Sequence, residues 1–457
     1  MPRHIIHKQK IVIKTGMRAE TFKLQDRVSN LLKNDLTKKL DRLFNDVAPG
    51  DKILRIDKLE LDLGTIGEQN LEAEFSRKLI DRLAAILTGQ HENKSVAQTE
   101  SFEIMQEQSM SDALIYFLNH GSMPWYKAIK NLAEFESEIF RSFSEKEWQR
   151  LVKALKNDFT VNKNIPERLA IQFSDAFLEK ILFLLYPGFR EEDWHRLYDT
   201  SYEVTENRFV HAGYTKRKLR STIWQAGLIT ALKTENKNDF IRKFSEKINR
   251  YADDVFPEEK ESKEAALRDD KTRNLKRKRT ESKIKPKIEE NGEEFFVTNS
   301  GVVILHPFLQ EYFKELGLVE KVFKNTESQH RAVLLMHYLA SGETEVAEFN
   351  LILEKLLCAV DFDEPVPNHI ELSEKEKEES DNLLRSVTEH WAPLRRTSLQ
   401  GLRTSFFQRE GKLFRAEAGW ILKVEQKTID ILLDKLPWGI GTIKLPWMNT
   451  ILNVEWV

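Results

Sequence analysis

From Pro257 to Glu294 the chain reads "PEEKESKEAALRDDKTRNLKRKRTESKIKPKIEENGEE", nearly all charge and almost without apolar side chains. Such a stretch cannot bury enough surface to offset the entropy of ordering it, so it reads as a flexible linker. A linker in that place divides the 457-residue chain and makes it close a core on either side. Its "LKRKR" centre also fits a nucleic-acid tether or a localisation signal. Acidic residues on both sides neutralise it, and the composition favours a solvated linker.

The rest of the composition narrows the function classes. Lysine plus arginine number 71 against 73 acids, a formal net charge of −2, which argues against a surface devoted to nucleic acid. Cys358 is the lone cysteine, so the sequence allows neither an internal disulfide nor a multi-cysteine zinc site. It lies among leucines in "LILEKLLCAV", where a thiol behaves as a small hydrophobe. The opening "MPRHIIHKQKIVIK" has no apolar run of signal-peptide length, and the longest apolar runs, such as Ile181–Tyr186, suit a core rather than a bilayer. The expectation is a protein made and folded in the cytoplasm, with no membrane partner.

Periodicity predicts an α+β protein, mainly α. Residues 1–90 read as a small α+β domain. "IIHKQKIVIK" is β-rich. Leu24, Val28, Leu31, Leu32, Leu36, Leu40, Leu43, Phe44 and Val47 form one face of a long helix. Leu59, Leu61 and Leu63 alternate with Lys58, Glu60 and Asp62 as in a strand with one wet face. Leu71, Phe75, Leu79, Leu83 and Ile86 mark the inner face of a second helix. Residues 100–256 carry helical signals throughout and form a central helical domain, 257–294 is the linker, and 295–457 is a C-terminal domain. That last block begins extended at "FFVTNSG" and continues helical. It holds a capping box, Ser373 with Glu376, that opens a helix burying Leu383, Leu384, Val387 and Trp391. Short strands at "GWILKVEQK", "GTIKL" and "ILNVEW" close it, with a short helix at "TIDILLDKL".

No catalytic constellation emerges. The P-loop, His-Glu-x-x-His and Gly-x-Ser-x-Gly patterns are absent, and Gly439-Ile440-Gly441 lacks the third glycine of a dinucleotide site. His306, His330 and His337 lie close in sequence. No carboxylate falls at ligand spacing beside them, so they read as satisfied polar residues rather than metal ligands. Asp57 with Asp62, and Glu191 with Glu192, sit on charged faces without the marks of a tuned acid–base pair. No cofactor, metal or small-molecule substrate is expected. The doubled triplet Leu436-Pro437-Trp438 and Leu445-Pro446-Trp447 remains. The prolines suit strand edges and the tryptophans supply large buriable surfaces, so Trp438, Trp447 and Trp456 read as the underside of a β-rich cap. The other reading makes those three a partner-docking surface.

Five C-terminal stretches carry a resemblance: "FFVTNSGVVILHPFL", "RAVLLMHYLASGE", "LILEKLLCAV", "LRTSFFQREGKL" and "VEQKTIDILLDKLPWGIGTIKLPWM". With "IHKQKIVIK" and "RIDKLELDLGTI" near the start, the chain resembles the tape-measure-protein family of bacterial contractile injection systems, the phage-tail-like particles, over roughly half its length. The resemblance implies a non-enzymatic part in tube assembly, as a length-setting tape measure or as a globular chaperone or end-adaptor of cap or baseplate. The implied partners are tube, baseplate or cap subunits and an associated AAA+ ATPase. The implied location is the cytoplasm during assembly, then the particle. An enzyme with a dispersed site and a nucleic-acid-binding module are the more distant alternatives.

Overall fold

The computed structural model describes residues 4–456 except 16–20, 33–35, 48–51, 57–58, 88–100, 212–214, 256–293 and the single positions 5, 7, 8, 125, 128, 160 and 235. Among the described residues 63% are helical, with a five-stranded sheet near the C-terminal end, the mainly α arrangement with some β that the patterning predicts. Two compact units form, one of residues 1–112 with 142–147 and one of 113–141 with 148–457. The predicted linker lies outside the described residues except for Glu294, which opens a strand.

In the first unit, helices α1 (Thr21–Leu31) and α2 (Thr37–Val47) precede strand β1 (Lys52–Ile56) and helix α3 (Leu71–Leu87). Strand β2 (Ser101–Met105) and the start of helix α4 (Gln106–His120) follow. Phe75, Leu79 and Leu83, one helical turn apart, pack with Leu31, Leu36 and Leu40 as their spacing predicts. The long face from Leu24 to Val47 falls on α1 and α2, with residues 33–35 between them outside the described residues, and Leu31, Leu36 and Leu40 on it are buried. Three expectations change here. Leu59, Leu61 and Leu63 do turn toward the core in alternation, but residues 59–67 form no strand, because packing needs no ladder. The partner of β1 is β2, antiparallel from Lys52 opposite Met105 to Ile56 opposite Ser101, where a helix is expected. The stretch 5–14, expected as a strand, forms none in its described residues, and among the described residues β1 pairs with β2 alone. Val12 is correspondingly 69% exposed.

The second unit continues α4 and, apart from residues 142–147, holds the predicted central helices: α5 (Leu132–Ser142), α6 (Glu145–Asp158), α7 (Asn164–Gln172), α8 (Asp175–Leu185), α9 (Glu191–His211), α10 (Lys216–Ala231) and α11 (Lys237–Val255). Ser174 and Thr215 cap α8 and α10 by accepting from Phe177 and Lys218 backbone N–H groups. Buried aromatic pairs bind these helices together, among them Phe173 on Phe177 at 4.4 Å and Trp194 on Trp224 at 4.8 Å.

The C-terminal part runs β3 (Glu294–Val297), a tight turn of helix at Ser300–Leu305, α12 (His306–Glu315), α13 (Thr326–Ser341), α14 (Ile352–Leu357), α15 (Glu374–His390) and α16 (Leu399–Leu402). A π-helical turn, Arg403–Phe407, then leads to β4 (Gly411–Ala416), β5 (Gly419–Val424), a 3₁₀ helix at Thr428–Lys435, β6 (Thr442–Ile443) and β7 (Ile451–Glu455). The Ser373–Glu376 capping box opens α15, and Leu383, Leu384, Val387 and Trp391 are buried as predicted. Strand order is β3-β4-β5-β7-β6, with β7 parallel to β5 and the other neighbours antiparallel. Strand β4 was not expected. Leu413 is its one fully buried residue, so it lacks a period-two signal. The core of this part closes on itself, its buried members running from Val297 to Trp456.

Candidate functional site

The three predicted tryptophans all pack against the core of the C-terminal part, each at its own place. Trp447 is buried against Phe313 and Phe323, and its indole N–H donates to the Leu357 carbonyl at 2.7 Å. Leu357 is the last residue of α14, where carbonyls lack helical partners, so the second Leu-Pro-Trp triplet caps that helix. Trp438, half-buried against Phe308, donates to the Ile304 carbonyl at 3.0 Å. Trp456 is buried and donates to Asp430 Oδ2 at 3.1 Å. Asp430 also accepts from the fully buried Arg409, at 2.7 Å, so the last strand is fastened to a buried ion pair. Each indole thus finds its hydrogen-bond partner within the chain.

A second cluster joins the C-terminal part to the central helices. Arg168 of α7, Glu348 in the 3₁₀ turn before α14, and Lys355 of α14 are wholly buried. Arg168 donates to both carboxylate oxygens of Glu348, at 2.9 and 3.1 Å, and to the carbonyls of Leu118 and Asp363 at 2.5 and 2.6 Å. Lys355 spends its three N–H bonds on Glu348 at 2.7 Å and on the carbonyls of Phe362 and Glu364 at 2.9 and 2.7 Å. Burial pushes the Lys355 ammonium below its usual range, and the Glu348 carboxylate opposes that shift. Gln172 completes the seam by accepting from the Glu348 N–H at 3.2 Å and donating to the Val366 carbonyl at 2.9 Å. An apolar contact accompanies these, Phe117 edge-on to Phe349 at 5.5 Å.

Sequence reasoning missed this cluster, although a signal existed. Charged Glu354 and Lys355 interrupt "LILEKLLCAV", whose apolar residues fall all round a helix, and such a helix is buried on every side. Any charge within it must find a partner. Glu354 is also fully buried, its pKa raised to about 7 by loss of solvent, and it accepts from Asn299 at 3.2 Å. The same Asn299 side chain meets His337 Nδ1 at 3.2 Å, and burial lowers the His337 pKa to about 4. Cys358 is buried and its thiol is pushed well above the ordinary range by desolvation, which keeps it protonated and inert.

His306, His330 and His337 are not brought together on one ligand set. They pair separately with the Val303 carbonyl, with Glu364 at 2.7 Å, and with Asn299 and Ser341. Among the described residues, Glu179, Glu191 and His195 bring ligand atoms within 4.8 Å of one another. They lie on the surface, where His195 bonds Glu179 at 2.9 Å and ties α9 to α8. Among the described residues no helix is long and apolar enough to cross a membrane.

The profile of the contractile injection system tape measure protein family matches residues 3–456. No curated protein and no solved structure matches the chain.

Proposed function

Because the chain belongs to the contractile injection system tape measure protein family, we propose that it takes part in building the tube of a phage-tail-like particle, without catalysing a reaction, and that it sets tube length. Partners are the tube, baseplate or cap subunits, met by the face that Trp438, Trp447 and Trp456 support from within. The observation that supports this reading is the C-terminal core, whose last strand and Trp456 are fastened to the buried Arg409–Asp430 pair. That construction suits an anchor.

Length sets a condition. A continuous helix of 457 residues spans roughly 690 Å, at about 1.5 Å per residue. Folded as described, the same residues form packed helices and a sheet, so a length-setting chain must open its central helices before or during tube growth. A second reading keeps the chain closed, as an assembly chaperone or end-adaptor, and the same packed seam favours it. Electron microscopy of particles assembled without the chain tests the shared premise. Tubes that are missing or of scattered length are expected, and normal tubes in normal number would refute both readings.

A further inference from the structure

We propose that the Arg168–Glu348–Lys355 cluster is a release catch: a buried ionic seam that holds the central helices on the C-terminal domain and lets them part without unfolding it. The inference concerns the isolated chain and goes beyond its role in a particle.

The catch has the composition of a reversible joint. Two cations share a single carboxylate, and the main-chain carbonyls of Leu118, Phe362, Asp363 and Glu364 take further donors. Closed, the three ions are paired but have lost their water, a penalty their mutual attraction barely repays. Opened, all three recover hydration, whereas parting an apolar seam of the same area would expose grease to water. The ions therefore specify where the helices sit while adding little net adhesion. Glu348 is the keystone, since removing its charge leaves two buried cations facing each other. Space at the catch admits no slack: a Cβ at Gly121 would lie 2.5 Å from Glu348 Oε1 and 2.8 Å from Arg168 Nη2. On one side of the seam lies the end of α4 with α7. On the other lies a C-terminal core whose buried apolar members run from Val297 to Trp456.

Hydrogen exchange on the full-length chain tests this. In Glu348→Gln, amides at the seam, in peptides covering residues 345–351 and 362–366, should exchange about a hundredfold faster or more, because an uncompensated buried charge opens it. Peptides from β4, β5 and β7 should exchange as in the parent chain. The triple variant Arg168→Met, Glu348→Leu, Lys355→Met should keep the seam protected at least as well as the parent, since apolar side chains of similar volume remove the hydration gained on opening. Unchanged seam exchange in Glu348→Gln would overturn the proposal, as would loss of sheet protection in step with the seam. An open seam in the triple variant would do so as well. None of these readouts involves a particle, so failure here is distinct from failure of the tube-length reading.

Discussion

Trp447 donates its indole N–H to the carbonyl of Leu357, 2.7 Å away and 90 residues earlier in the chain. The bond joins the second Leu-Pro-Trp triplet to the end of α14 inside a buried aromatic group. Trp447→Phe keeps most of the ring and strands the carbonyl, so it should cost about 1–3 kcal/mol. Trp447→Ala removes the ring as well and should cost about 3–5 kcal/mol. Chemical denaturation of both variants checks the order. Equal and negligible losses would mean that the ring serves a partner rather than the fold.

Gly121 ends α4 with φ +69°, a left-handed conformation, and faces the ionic cluster. Gly121→Ala should lose about 1–3 kcal/mol from backbone strain alone, with the clash against Glu348 added. At Gly439 and Gly441, by contrast, a Cβ would meet nothing within 4 Å. Alanine there should be neutral or stabilise by about 0.4–1 kcal/mol. Denaturation midpoints of the three variants decide the matter, and a harmless Gly121→Ala would contradict the close approach.

Two buried groups predict an unusual response to pH. With its pKa lowered from 6.5 to about 4, His337 makes the fold lose stability as pH falls through that window, because the unfolded chain takes up the proton first. With its pKa raised from 4.5 to about 7, Glu354 makes the fold lose stability as pH rises through its own window, because the unfolded chain releases the proton first. Each effect is on the order of 3 kcal/mol, and where the windows overlap the slopes oppose. The parent chain should therefore change little between pH 4.5 and 6.5 on their account. Glu354→Gln should uncover the acid loss, and His337→Gln should uncover the loss toward neutral pH. Thermal unfolding of all three across pH 4 to 8 provides the check; parallel curves would contradict the assignment.

What was legible depended on whether a residue's role is local. Phe75, Leu79 and Leu83 announce their face by spacing, and Ser373 with Glu376 announces a helix start, because both signals span a single turn. The alternation of Leu59, Leu61 and Leu63 reported facing correctly but not pairing, since a ladder depends on a second strand. The pairing of Arg168 with Glu348 was illegible because 180 residues separate them and neither end specifies the other. Strand β4, with Leu413 its one fully buried residue, offers too little alternation to read.

The domain boundaries lead to a separate expectation. A protease site inserted between Pro257 and Glu294 should yield two pieces that still elute together, because Asn164, Gln172 and Arg217 still hydrogen-bond Asp363, Val366 and Glu345 across the cut and Phe117 still meets Phe349. The same cut in the Glu348→Gln background should let the pieces separate on size-exclusion chromatography. Pieces that part in the parent background would show that the seam does not hold the blocks together.

The claim that this chain sets tube length is tested most directly by lengthening it. Duplicating Glu191–Val255, the stretch from α9 to α11, adds on the order of 100 Å if the added residues are helical and extended in the tube. Tube length measured by electron microscopy should rise by up to that amount, with a distribution as narrow as the parent's. Tubes of unchanged length in otherwise normal particles would contradict it and leave the chain as a closed chaperone or adaptor.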